Sequence, residues 1–357
     1  MTLTITSLSA QEKPAPGGGA TPPAAKPAPA APAAPSFKIS GLIFGDYYYF
    51  AGSNATSFDG QHGFWFRRIY LTYDQTLGSK FSTRFRLEAN SNGKMTAPAT
   101  SIAPFVKDAS LKWVYSGQHQ VTVGIQPTTT FDFVEAVWGL RHVEKTPVDL
   151  YRIDSARDFG VSVAGPITAD NTLQYTAQFG NDSSINSEID RYKSFRAALR
   201  YVTNPGLVAE GVFACQSRAL AATRTIAQVF VGYQGPQGRA GVQYVHNSRQ
   251  PASNTTNATV NVSVVSAFGM WFARPNKLTV FGRVDHSSAN PDVNGIDYLP
   301  LYQKAPFTLG IAGVEYSIIP SVRVSPNVEF VRYGTPAAGA AAPKNDTVMR
   351  LTFYWSW

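Results

Sequence analysis

The chain has 357 residues, 44% hydrophobic, 13% aromatic and only 15% charged, with a formal charge of +8. Its mean hydropathy is −0.13, and it has no apolar run of the roughly 18 residues that a helical membrane span requires. Helical spans are therefore excluded, but transmembrane strands are not, because they alternate apolar and polar residues and read as average hydropathy. One cysteine, Cys215, excludes an internal disulfide or a thiolate metal cluster.

In chain order, residues 1–11 (MTLTITSLSAQ) resemble the end of a secretory signal, with small residues at Ser7, Ser9 and Ala10 but no basic stretch before them. Residues 12–35 form a Pro/Ala-rich linker, extended and unable to pack a core. Residues 36–357 carry the folded domain. There a period of two dominates, in segments of about ten residues broken by turn residues. In KFSTRFRLEAN, Phe81, Thr83, Phe85, Leu87 and Ala89 point one way, and Ser82, Arg84, Arg86, Glu88 and Asn90 the other. The pattern returns around Leu111, Tyr175, Leu199, Val280 and Val324, and last in MRLTFYWSW. There Met349, Leu351, Phe353, Trp355 and Trp357 oppose Arg350, Thr352, Tyr354 and Ser356. One face is apolar and the other wet and charged.

Connections alternate in length. Short turns at 75–80, 166–171, 203–206, 234–238, 273–276 and 318–321 are interleaved with long polar loops at 51–63, 90–101, 181–193, 247–258, 286–304 and 334–346. Short on one rim and long on the other is the arrangement of an outer-membrane barrel with periplasmic turns and extracellular loops. The reading is an all-β, antiparallel up-and-down transmembrane barrel of about sixteen strands. In such a barrel every backbone N–H and C=O is paired and no edge remains. Tyr47, Tyr49, Tyr115, Tyr201, Tyr233, Trp355 and Trp357 lie near strand ends, where rings suit the lipid–water interface.

The run FWFRRIYLTYDQTLGSKFSTRFRLE (64–88) resembles an early hairpin of the phosphate-selective porin O and P family, with its paired-Arg strand, short turn and Phe-then-Arg strand. VKDASLKWVY (106–115) with VTVGIQPTTTF (121–131), the Arg157–Asp158 pair of EKTPVDLYRIDSARDFGVSVAG (144–165), and LTVFGRVD (278–285) are similar to later segments of that family. The resemblance implies a 16-stranded porin, trimeric, with the third external loop folded into the lumen. It does not imply phosphate, because the family's tight ladder of basic residues is not visible here.

A porin needs a water-filled hole whose wall chemistry decides what passes. Alternation puts Arg68, Arg84, Arg86, Lys112, Arg196, Arg200, Arg283, Arg323 and Arg350 on the wet face, with the acids Asp74, Glu88, Asp108, Glu210, Asp285 and Glu329. The excess of base favours anions, unless neighbours such as Arg86 with Glu88 or Arg283 with Asp285 pair and cancel the field. Residues 128–157 are too long for a rim turn and include a helix-like stretch, 131–144. Folded inward, they bring Asp132, Glu135, Arg141, His142, Glu144, Lys145, Asp149, Arg152 and Asp154 to a constriction.

Other chemistry is weak. Asn290, Asp292, Asn294 and Asp297 have the spacing of a Ca²⁺ loop, but Leu301 stands where the closing Glu belongs, so a polar loop is expected. His246 and Ser248 share a strand face with no acid beside them, which does not make a hydrolase. Scattered Lys and Arg argue against nucleic acid. No cofactor is expected.

The expected function is passive diffusion of small hydrophilic solutes and ions across the outer membrane, with a weak preference for anions, phosphate or others. The alternative is a structural or adhesive barrel tethered to the cell wall through the Pro/Ala segment. Expected partners are outer-membrane lipid and lipopolysaccharide, two further copies in a homotrimer, small anionic or polar solutes, and the barrel-assembly machinery. The last would read the terminal Phe353, Trp355 and Trp357.

Overall fold

The computed structural model describes residues 36–357 except 92, 95–96, 99–100, 183, 204 and 290–298, with backbone alone for 93–94 and 97–98. The leader-like start, the Pro/Ala run and the Asn290, Asp292, Asn294, Asp297 group lie outside the described residues.

Sixteen strands close an antiparallel barrel in chain order. They are β1 Ser36–Gly52, β2 His62–Thr76, β3 Phe81–Ala89, β4 Phe105–Ser116, β5 His119–Pro127, β6 Arg157–Pro166, β7 Leu173–Gly180 and β8 Ser194–Val202. Then follow β9 Gly206–Ser217, β10 Thr223–Gly235, β11 Gly238–Gln250, β12 Val260–Arg274, β13 Leu278–Ser287, β14 Phe307–Ile319, β15 Val322–Tyr333 and β16 Asp346–Ser356. β1 pairs with β16 to close the ring. A two-residue ribbon, Gly93–Lys94 with Ala97–Pro98, lies between β3 and β4. Among the described residues no helix is long and apolar enough to cross a membrane.

Short turns collect on one rim and long connections on the other, as expected. Two further connections are short. Gly117–Gln118 makes a tight turn between β4 and β5, which Gly117 permits at φ 55. On the long-loop rim, 218–222 joins β9 to β10 with hardly any excursion.

The outer surface follows the alternation: Phe85, Leu111, Trp113, Phe213, Val229, Val242, Val284 and Leu351 are all exposed there. The inner surface departs from it. On β9–β15 the inward positions Val208, Ile226, Phe230, Val245, Val262, Val264, Phe268, Met270, Phe281, Leu309, Ile311 and Val331 are buried and apolar. These strands are oily on both faces because the connection 128–156 folds inside the barrel and covers them.

That connection, loop three, is anchored by aromatic contacts. Trp138 is fully buried, with ring centroids 5.2 Å from Phe268 and 6.2 Å from Phe281. Phe133 meets Phe230 and Tyr151 meets Phe307, at 6.2 and 5.3 Å. The expected helix over 131–144 is shorter in the structure. Helix α1 spans only Asp132–Trp138, because Gly139 turns left-handed at φ 67. Beyond it the Trp138 indole donates to the Glu144 carbonyl at 2.8 Å. A second short helix, α2, spans Pro147–Leu150.

Candidate permeation site

Two β-bulges set the charges of the inner wall. Along β1–β2 the register passes from Phe44↔Arg68 to Gly45↔Phe66, so Arg67 is an extra residue. A regular pleat would send one of two neighbouring arginines into lipid; the bulge turns both inward. Arg67, 4% exposed, reaches Asp46 at 2.8 Å and Glu144 at 2.7 Å, and Arg68 reaches Glu88 at 3.0 Å. The device recurs on β4. The β3–β4 register passes from Arg86↔Asp108 to Leu87↔Val106, so Lys107 and Asp108 both face inward. Lys107 meets Glu88 at 3.0 Å, and Asp108 meets Arg86 at 3.2 Å and also Arg157.

Strict alternation finds Arg68 and Asp108 but misses Lys107, Arg67 and Arg67's partner Asp46. A signal was present all the same. Two consecutive charged residues within a lipid-spanning strand are affordable only if a bulge hides the second.

The other named side chains fall into ion-pair groups. Arg84 pairs with Asp74 at 2.7 Å, both partly open to water. Arg200 bridges Glu210 and Asp132, each at 2.6 Å, tying β8 and β9 to loop three. Arg196 sits among Asp154, Asp158 and Asp182, at 2.7, 2.7 and 3.4 Å. Arg283 pairs with Asp285 at 2.7 Å and stands 5.4 Å over the Trp138 ring. Arg350 joins Glu144, at 3.2 Å, to Glu329, and Arg323 reaches Glu315 at 3.4 Å.

Within loop three, Arg141 pairs with Glu135 and with Asp149 at 2.8 Å, and Lys145 with Asp149 at 3.5 Å. His142 bonds Glu315 on β14. Arg152 is exposed at φ 51. The suggested Arg86–Glu88 pair is not made. Arg86 instead turns to Asp108, directly opposite on β4, and Glu88 is taken by Arg68 and Lys107. In the extracellular connection 181–193, burial lifts the Asp182 carboxyl to about 6.

Nearly every cation named above is matched by a carboxylate. Lys112 is not: it is exposed, lines the interior and makes no ion pair among the described residues. It lines a cavity of about 790 Å³ at the short-turn end of the barrel. Lys38, Asp74, Ser82, Arg84, Thr122, Gln178 and Arg200 share that wall, all from β1–β8. Loop three occupies the apolar half of the interior and leaves this polar half open. His246, for its part, bonds Ser263 across to β12 and not Ser248.

A closed sixteen-stranded barrel, apolar outside and with a polar cavity within, is the architecture of an outer-membrane channel. A model of the Gram-negative porin family matches residues 20–341, and the chain belongs to that family. It resides in the outer membrane. The match is to this family and does not reach the phosphate-selective porin O and P family.

Three solved structures share the fold. The anion-selective porin from Comamonas acidovorans matches with a TM-score of 0.68 and 12% identity over 90% of this chain and 100% of that one. Salmonella typhi OmpF in complex with daunomycin gives 0.65 and 12% over 90% and 97%. OmpT of Vibrio cholerae in its trimer form gives 0.63 and 14% over 91% and 100%. No curated protein sequence matches the chain.

Proposed function

We propose that the protein passes small hydrophilic solutes and ions by diffusion, with a weak preference for anions. The observation that carries this reading is the polar cavity beside loop three, whose Lys112 has no carboxylate partner among the described residues. Lys112, Arg84 and Arg200 face the permeating solute. The fully paired Arg67, Arg196, Arg283 and Arg350 brace the wall and hold loop three as the constriction. Because their charge is cancelled locally, the preference is for anions as a class and not for phosphate.

A homotrimer embedded in lipid and lipopolysaccharide is part of the same proposal, supported by the likeness to the trimer form of Vibrio cholerae OmpT. So is delivery by the barrel-assembly machinery. Planar-bilayer recording tests the function: steady ohmic conductance with a reversal potential on the anion side in a KCl gradient is expected. A barrel that stays closed overturns the channel and favours a structural or adhesive role.

A further inference from the structure

Within the open half of the barrel one row of side chains runs unbroken from strand to strand. Thr76 stands opposite Ser82, Ser82 opposite Lys112, Lys112 opposite Thr122, Thr122 opposite Ser162, and Ser162 opposite Gln178. All six line the cavity. Neighbouring strands are about 4.8 Å apart, so the row offers a polar group at each such step across six of the sixteen strands. Four members are hydroxyls, each able to donate and to accept.

Gln178 ends the row. It is 1% exposed, its Nε2 donates to the Pro127 carbonyl at 3.3 Å, and its Oε1 is buried with no hydrogen-bond partner among the described residues. That oxygen is closed off from the cavity itself, so what the row offers a solute is the Lys112 ammonium and the hydroxyls. Ser162 spends its own proton on Gln126 at 2.5 Å and keeps its lone pairs. The only charge in the row is the Lys112 ammonium.

We propose that this row recognises polyhydroxylated monocarboxylates, the sugar-acid class. Lys112 takes the carboxylate, Thr122 donates to and accepts from the solute's hydroxyls, and Ser162 accepts from the next one. The inference rests on the channel reading above and narrows it. A simple size-and-charge sieve would pass a slim alkyl carboxylate faster than a bulky hydroxylated one. A wall of hydroxyls replacing the hydration of a hydroxylated solute reverses that order.

The test compares gluconate with hexanoate, two six-carbon monocarboxylates, as potassium salts against KCl in planar bilayers. The wild-type protein is expected to pass gluconate about fivefold better than hexanoate, the effect of roughly one net hydrogen bond. Thr122→Val with Ser162→Ala is expected to bring that ratio to one or below. Lys112→Gln should lower both carboxylates together and leave their ratio intact. Hexanoate passing faster than gluconate through the wild-type protein overturns the inference, whatever the variants do. No current in any electrolyte overturns instead the channel reading on which it rests.

Discussion

Trp357 and Gly41 exchange two backbone hydrogen bonds of 3.1 Å, so the last residue is paired to β1 across the seam that closes the barrel. The Trp357 indole lies over Gly41, where any Cβ would overlap it. Four strand positions on, the Phe353 ring covers Gly45 in the same way, 5.8 Å from Phe66. The terminal aromatics are thus a stitch along the seam as well as part of the lipid face. Deleting Trp357 removes both bonds and bares Gly41. We expect the amount of folded protein in the outer membrane to fall sharply while the conductance of the channels that do form is unchanged. Normal assembly of the deletion would remove the argument. Gly41→Val should reproduce the defect, because it evicts the ring.

Loop three is held first by apolar burial. Trp138→Ala leaves a cavity between Phe268 and Phe281 and should cost about 3–5 kcal/mol of docking energy, as for other buried aromatic truncations. Single-channel conductance is expected to rise, and amide exchange across 131–150 to accelerate. An unchanged exchange rate there would show that the loop is held by something other than Trp138.

Glu144 is the loop's electrostatic anchor, meeting Arg67 at 2.7 Å and Arg350 at 3.2 Å. Glu144→Gln removes one of the two carboxylates that face each guanidinium, leaving Asp46 for Arg67 and Glu329 for Arg350, a loss of about 1–3 kcal/mol. The expected readout is channel flicker at constant voltage and a larger mean current. A quiet trace of normal amplitude would count against the anchor.

Selectivity should follow the unmatched charge. Lys112→Gln is expected to move the reversal potential toward cations, and more strongly than Arg84→Gln, because Arg84 is matched by Asp74 at 2.7 Å. An equal shift from both variants would mean that paired residues also set the field in the lumen.

Asp182 gives the extracellular rim a pH dependence. Burial raises its carboxyl from 3.8 to about 6, so the folded loop binds a proton that the unfolded chain has already released. Stability from this group is therefore present at low pH and lost as pH rises from about 4 to about 6. Protease cleavage within 181–193 should increase across that range in wild type and be flat in Asp182→Asn. A pH-independent cleavage rate in wild type would refute it.

The strands were legible because lipid imposes a two-residue code on them: Phe81 to Ala89 and Met349 to Trp357 carry their own orientation. Rim assignment followed from loop length; length also marked 128–156 as more than a turn, while its inward fold was implied only by the family resemblance. Arg67 and Lys107 were not legible by alternation, since a bulge adds one residue to one strand and breaks its period of two at that point. The partners of Arg86 and Glu88 were likewise hidden, because cross-strand neighbours depend on the register between strands.

By itself, then, the sequence determined the all-β class, the closed barrel, the two rims and the aromatic closing strand, since each follows from local periodicity meeting a hydrocarbon boundary. Tertiary structure alone decided that half of the interior is apolar and filled by Trp138 and its neighbours. It alone decided that the arginines are spent on carboxylates and that Lys112 is left facing open space. Those facts depend on which residues meet across the barrel after closure, and distances across a closed ring are not encoded in any one strand.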